Sequence, residues 1–357
     1  MDVRPGTGAA DGVRPAEIDS GHLDDLALGS AVLSSGGDAA RAGFLHRALR
    51  ESLGPGLAVP LVQAADLPPD AWVVHVGLLA APFAAGEAMP VGTELARAAR
   101  AVAHRRQVPV DAVATIEIGG HNAAAGVLAA VRLGVPLVDG DLMGRAFPRI
   151  DQTILSASGF PLTPVVLLDA DGGQVTVETD DAGAVARIAA AVCATVGGWV
   201  AVATTPVRAR DLAEHGINGS VTRAIGLGRT LSAAHPPADL VAELGGEVVF
   251  RGTVVDVVRT SSPSVAVLEG ADNRWDVARI DMVGEFLVVA VNGEAVATTP
   301  DVICVVTESG ELVGVETVRR GQAVHVVRLP SDPKWKSPET LRLSGPEAFQ
   351  IAMDPVL

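Results

Sequence analysis

The stretch that decides the fold is Ala112-Val113-Ala114-Thr115-Ile116-Glu117-Ile118, followed by Gly119-Gly120-His121-Asn122, a helix-patterned run to Leu133, and then Leu137-Val138-Asp139. A short apolar run, a glycine turn, an amphipathic stretch and a second apolar run make a strand–helix–strand unit, which implies parallel strands joined by a crossover helix. The pattern extends to both sides. Leu57–Val62 and Trp72–Leu79 read as strands and Thr93–Arg106 as a helix. Val165–Asp169 and Gln174–Glu178 read as a hairpin around Ala170-Asp171-Gly172-Gly173. Ala182–Thr195 reads as a helix, Trp199–Thr204 as a strand, and two helices follow to about Ala234.

At the start, Ser20 suits an N-cap, with Asp24 and Asp25 in the first turn. Leu23, Leu26, Ala27 and Ala31 keep helical spacing up to Ser34-Ser35-Gly36-Gly37. Asp38 suits the cap of a second helix carrying Phe44, Leu45, Ala48 and Leu49. After His235-Pro236-Pro237 the texture becomes β-rich, with strands expected at Val248–Val258, Ser264–Leu268, Arg279–Val291, Glu294–Thr298 and Val302–Val306. Asn292-Gly293 is the strongest hairpin signal. The expected organisation is a disordered leader over 1–19, an α/β domain over 20–234 with a mainly parallel sheet and flanking helices, and a smaller β-rich C-terminal domain over 235–357. The tail from Ser337 to Leu357 is expected to pack across the surface.

Composition narrows the function. The 357 residues are 48% hydrophobic and carry a net charge of −15, with 3% aromatics and no tyrosine. So acidic a surface repels phosphate backbones, and so few aromatics give single-stranded nucleic acid little to stack on; no nucleic-acid partner is expected. The apolar runs are too short to span a bilayer, so no membrane partner is expected either. Two distant cysteines, Cys193 and Cys304, without CxxC spacing fit a reducing, cytoplasmic setting. Cys193 reads as core. Cys304 lies in an apolar strand, where a thiol is core, a nucleophile or a soft metal ligand.

Three segments can carry chemistry. Ser34–Asp38 places Gly36 and Gly37 before a helix start, where free amides can hold an anion or simply cap helices. Glu117–Asn122 sets a carboxylate at a strand end beside His121 and Asn122, where open α/β sheets build their sites. That pair suits general acid–base work, metal binding, or a polar strand end with no chemistry. Asp139–Pro148 holds Asp139, Asp141 and Arg145; carboxylates can ligate a cation or activate water, and a guanidinium can clamp a carboxylate, or Asp141 and Arg145 can pair with each other. His75, inside an apolar strand, reads as a satisfied strand residue. P-loop, GxSxG and HExxH motifs are missing from the sequence.

Taken in order, these loops resemble the S-methyl thiohydantoin desulfurase family, once known as proteins associated with hydantoinases and oxoprolinases. The resemblance runs from about Leu23 to Leu357. It rests on Leu26–Ala31 through Gly36-Gly37-Asp38, Val76-Gly77 through Ala81-Pro82, Glu117–Asn122, Asp139 through Met143-Gly144-Arg145-Ala146-Phe147-Pro148, Phe250-Arg251-Gly252, Pro300–Cys304 and Gly345-Pro346. Leu142 stands where that family commonly has glycine. The resemblance implies hydrolysis of a carbon–sulfur bond in a small heterocyclic substrate, releasing methanethiol and leaving a hydantoin. It also implies a zinc ion, held by His121 with Asp139 or Asp141 and Cys304. The catalytic residues would then be Glu117, His121, Asp141 and Cys304. Arg145, Asn122, Gly36 and Gly37 would bind substrate. A variant makes Cys304 the nucleophile. A different reading makes the chain a non-catalytic subunit of a hydantoinase or oxoprolinase assembly, and a homo-oligomer is also consistent with the sequence.

Overall fold

The computed structural model describes residues 14–37, 42–53, 56–80, 92–233, 241, 245–259 and 263–357; Asp38, residues 1–13 of the expected leader and the His235-Pro236-Pro237 break lie outside them, whereas 14–19 of that leader are ordered, Glu17 and Ile18 pairing with Pro60 and Val59 and Ile18 being fully buried. The chain runs β1 (Glu17–Ile18), α1 (Leu23–Leu33), α2 (Ala42–Ser52), β2 (Val59–Val62), β3 (Trp72–Ala80), α3 (Thr93–Arg106), β4 (Ala112–Thr115), α4 (Asn122–Leu133), β5 (Leu137–Val138), β6 (Gly140–Asp141), α5 (Ile154–Ala157), β7 (Val165–Leu168), β8 (Gln174–Val177), α6 (Ala182–Thr195), β9 (Trp199–Ala203), β10 (Val207–Arg208), α7 (Ala209–His215), β11 (Ile217–Asn218) and α8 (Ser220–Ser232). A second sheet follows: β12 (Glu247–Val258), β13 (Ser264–Gly270), β14 (Val277–Met282), β15 (Phe286–Val291), β16 (Glu294–Thr298), β17 (Val302–Thr307), β18 (Leu312–Val313) and β19 (Ala323–Leu329), then the short helix α9 (Pro338–Ser344).

The first sheet has the order β1-β2-β5-β4-β3-β9-β7-β8, with β10 continuing beside β3. Its heart, β2-β5-β4-β3, is parallel, built by crossovers through α3 and α4. The flanks are antiparallel, because the β7–β8 hairpin and β9 return along the β3 edge. The sheet is therefore mixed around a parallel heart. Strand alternation feeds two cores. Val74, Val76, Leu78 and Val113 face α3 and α4, while Val73, Ala112, Ala114 and Val202 face the layer that includes α5 and α6. Among the described residues, no helix is long and apolar enough to cross a membrane.

The second sheet is antiparallel throughout, ordered β16-β15-β14-β13-β12-β19-β17-β18. The Asn292-Gly293 turn is present with φ of 51° and 93°, the two positive values of a type I′ hairpin. One expectation needs correction. Arg279–Val291 is not a single strand; it breaks at Val283-Gly284-Glu285, where Gly284 takes φ +69° and Val283 N–H donates to Glu285 O. That turn aims a charged residue at the first domain. The tail does pack down: Trp335 is fully buried, and Val356 N–H donates to Thr298 Oγ1.

The two domains share one apolar core, since Val302, Cys304, Val306 and Val327 join the α1–α4 cluster. Helices α1 and α8 cross there at backbone contact. A Cβ on Gly29 would lie 1.7 Å from Ala224 O, and one on Gly228 would lie 1.8 Å from Asp25 O. A methyl group cannot be accommodated without separating the helices. Gly29→Ala is therefore expected to lower stability by about 1–3 kcal/mol despite alanine's better helix propensity. Urea unfolding checks this, and an unchanged or raised midpoint would contradict the crossing geometry.

Candidate functional site

The carboxyl ends of β3 and β4 carry a connected polar chain. Asn122, at the start of α4, is buried and binds β3 through both ends of its amide: Leu78 N–H donates to Oδ1 (2.6 Å), and Nδ2 donates to Leu78 O (3.3 Å). The same Nδ2 donates to Glu117 Oε1 at 2.6 Å, and Phe147 N–H donates to Glu117 Oε2 at 2.9 Å. Both carboxylate oxygens are thus fixed. Glu117 keeps some surface as a residue, but its carboxyl group is enclosed, and burial pushes its pKa up to about 7. Asp141 repels the charged form further, whereas the two donors and Arg145 favour it.

His121 lies on the other side of that loop. Its Nε2 is 3.2 Å from Leu78 O, so the ring donates there and presents Nδ1 as the acceptor when neutral. Burial lowers its pKa, which favours that neutral form. The ring lines a narrow crevice between α1, α2 and α4, with Leu26, Ala27, Ser30, Leu49 and Gly120. The loop is pinned by close backbone contact: Gly120 N–H donates to Ser30 O, and a Cβ on Gly119 would lie 2.5 Å from Ala146 N.

The other candidates occupy different positions. Asp139 is fully buried and holds the start of α8: Oδ1 accepts from Thr222 N–H (3.0 Å), and Oδ2 accepts from Thr222 Oγ1 (2.6 Å) and Gln63 Nε2 (3.1 Å). Asp141 Oδ2 accepts from the amides of Ile118, Met143 and Gly144, at 2.8, 3.3 and 2.8 Å. Its Oδ1 has no partner among the described residues, nor does Ser220 Oγ, which stands close enough to favour the ionised carboxyl without completing a bond. Burial dominates, and the Asp141 pKa rises to about 7.

Arg145 is 1% exposed, with its guanidinium turned into the domain boundary. Nε donates to Ala146 O, Nη1 to Asp301 O (2.7 Å) and Pro300 O (3.3 Å), and Nη2 to Glu285 Oε2 (2.5 Å). Gly37 N–H donates to Ser34 O, and Gly36 packs under the Phe286 ring. Cys304 Sγ donates to Val32 O at 3.3 Å inside the shared core, and burial lifts its pKa to about 12.

Zinc needs converging donors. Among the described residues, no three His, Cys, Asp or Glu side chains come together in a group that could hold a metal ion. Asp139 is saturated by Thr222 and Gln63, Cys304 by its place in the core, and His121 faces the crevice rather than Asp141. The implied donors do not fit a zinc site as they stand.

One residue, Glu285, escaped the sequence reading, and His75 has other surroundings than that reading gave it. Glu285 fell inside an expected strand; the signal was Gly284 beside a charge in an otherwise apolar run. His75 does not match its expected place as a satisfied strand residue. It is fully buried, neither ring nitrogen has a partner among the described residues, and burial lowers its pKa to about 3. The sign follows from linkage. The unfolded chain takes up this proton below about pH 6.5 and the folded chain does not until about pH 3, so His75 removes stability as pH falls through that window, by roughly 1.4 kcal/mol per pH unit at the steepest. His75→Leu is expected to be neutral or stabilising at pH 7. Its advantage over the wild type should grow between pH 6.5 and pH 4. Paired urea titrations at pH 7 and pH 5 check this, and a constant difference would refute the assignment.

Comparison with known proteins places the molecule. A comparison with curated proteins finds no match. An X-ray crystal structure of a protein from Chromobacterium violaceum superposes with a TM-score of 0.80 at 22% identity, covering 96% of this chain and 99% of that one, which shows a shared fold. The family model described as S-Me-THD-like, N-terminal domain matches residues 21–179, and the S-Me-THD-like, C-terminal domain model matches residues 179–356. Matched in both halves, the chain belongs to the S-Me-THD-like family, that of the S-methyl thiohydantoin desulfurases.

Proposed function

We propose that the protein hydrolyses the carbon–sulfur bond of an S-methyl thiohydantoin, with Glu117 as the proton-transferring group. The observation that carries the reading is the enclosed Glu117 carboxyl, fixed by Asn122 and Phe147 and raised to about 7 by burial. A general base works best with a pKa near the operating pH, and proton transfer by a positioned group contributes about 10²–10⁴-fold. Membership of the S-Me-THD-like family supports a thiohydantoin-type substrate.

The balance is simple. Water attacks the ring carbon that bears sulfur while Glu117 accepts one of its protons, and the ring C=N bond gives its electron pair to nitrogen. The tetrahedral carbon then expels the sulfur, forming C=O as C–S breaks. One water proton ends on the ring nitrogen and the other on methanethiol. Glu117 does not line the crevice that His121 faces, so a ring that meets both must first open the loop between them; His121, neutral and half-buried, can then hydrogen-bond it. The crevice is near the size of a single water, so admitting a five-membered ring requires α1 and α2 to move against α4. Arg145, committed to Glu285, Pro300 and Asp301, takes no direct part in substrate binding under this reading. The thiol of Cys304, buried and raised to about 12, is a poor nucleophile at neutral pH.

The test is methanethiol release from an S-methyl thiohydantoin bearing a propionate arm, followed with a thiol-reactive dye, with and without added zinc. Glu117→Gln is expected to lower kcat at least 100-fold. In the wild type, kcat/KM should rise with pH and level off above about 7, because the base must be ionised. No release under either condition, or full activity in Glu117→Gln, would overturn the reading.

A further inference from the structure

We infer that Glu285, in the turn between β14 and β15, is a positioning residue for Glu117 and acts across the domain boundary through the segment from Met143 to Phe147. This deepens the proposed function and rests on it for the role of Glu117. The segment supplies the Phe147 N–H that fixes Glu117 Oε2, and neighbours hold it along its length. At its start, Trp335 Nε1 donates to Met143 O at 2.8 Å. In its middle, Arg145 is locked by Glu285 at 2.5 Å and by the carbonyls of Pro300 and Asp301. Ala146 N–H donates to Leu33 O at 2.9 Å. At its end, the Phe147 ring lies 4.8 Å from the Arg145 guanidinium carbon and 5.1 Å from Trp335, edge-on.

Glu285 is the one carboxyl group that Arg145 contacts among the described residues, and both side chains are buried, at 1% and 6% exposure. The turn is itself held in place: Phe286 N–H donates to Ser35 O at 2.8 Å, and Gly37 packs against the Glu285 side chain. The second domain therefore supplies an acceptor without which the guanidinium is left charged and short of a partner, next to the amide that holds Glu117. Shortening Glu285 frees Arg145 to shift, and the Phe147 N–H moves with it.

Selective ¹⁵N-phenylalanine labelling gives seven amide signals, one for each phenylalanine in the chain, so exchange at Phe147 can be followed singly. In Glu285→Ala, Phe147 N–H is expected to exchange at least tenfold faster, with the phenylalanines other than Phe147 and Phe286 within twofold of wild type. Thiol release should show kcat reduced at least tenfold with KM within threefold. Glu285→Gln, which retains an acceptor for Arg145, should recover kcat to within threefold of wild type. If Glu285→Ala does not fold, Glu285→Asp decides by the same exchange measurement. Unchanged Phe147 exchange in either folded variant overturns the inference, as does a loss of kcat that Glu285→Gln fails to recover. The exchange measurement needs no turnover, so a wild type that releases no thiol defeats the proposed function while the coupling is still decided.

Discussion

The buried guanidinium of Arg145 organises the molecule. Its donors reach Ala146 O on its own segment, Glu285 Oε2 on the β14–β15 turn and two carbonyls ahead of β17. A charge this deep is tolerable only when its hydrogen bonds are satisfied, and removing one partner of such a pair typically costs about 3–5 kcal/mol. The α/β domain therefore depends on the second domain for the carboxyl partner of its buried Arg145. The second domain completes the first; it is more than an appended module.

Burial sets the proton affinities around this cation, and the cation opposes it only in part. Burial raises all three carboxyls, Glu117, Asp141 and Glu285; Glu117 further opposes the charged form of Glu285, and Asp141 that of Glu117. Arg145 opposes this at Glu117 and Glu285, but one positive charge cannot hold three buried carboxylates ionised. Glu285 takes the direct contact, Asp141 takes three backbone amides, and Glu117 is left with two neutral donors. Of the three, Glu117 also keeps the most surface. A carboxyl that titrates near neutrality and is held by only two neutral donors suits proton transfer once the loop opens; the other two are committed to structure. The division of labour follows from hydrogen-bond partners, since all three are the same functional group.

How much of this was legible in the sequence depends on the range of the interactions. Strands and helices whose signals are local were read well: Thr93–Arg106 and Ala182–Thr195 agree end to end, and Asn292-Gly293 formed its hairpin. The Glu117-to-Asn122 loop was recognisable because glycines after a strand end leave a polar cluster at a sheet edge. Roles were not legible, because they depend on partners far away in sequence. Asp139 and Asp141 are two residues apart and look interchangeable, yet Thr222 and Gln63 occupy the first while Ile118 and Gly144 occupy the second. Arg145 has the chemistry of a carboxylate clamp, and it clamps a carboxylate, but that carboxylate belongs to Glu285, 140 positions later.

The β14–β15 turn shows why such a residue is hard to see. Met282 and Phe286 pair across a tight turn, and strong strand formers on both sides make the stretch read as one strand. Only Gly284 breaks the pattern, and a lone glycine in a strand reads equally well as a bulge. What separates turn from bulge here is Glu285. A carboxylate at a bulge in an isolated β-sheet would turn to water. This one is buried because Arg145 waits opposite, and Arg145 is stable there because Glu285 arrives. Neither residue's position makes sense from its own domain, so the pair becomes readable only when both halves of the chain are folded together.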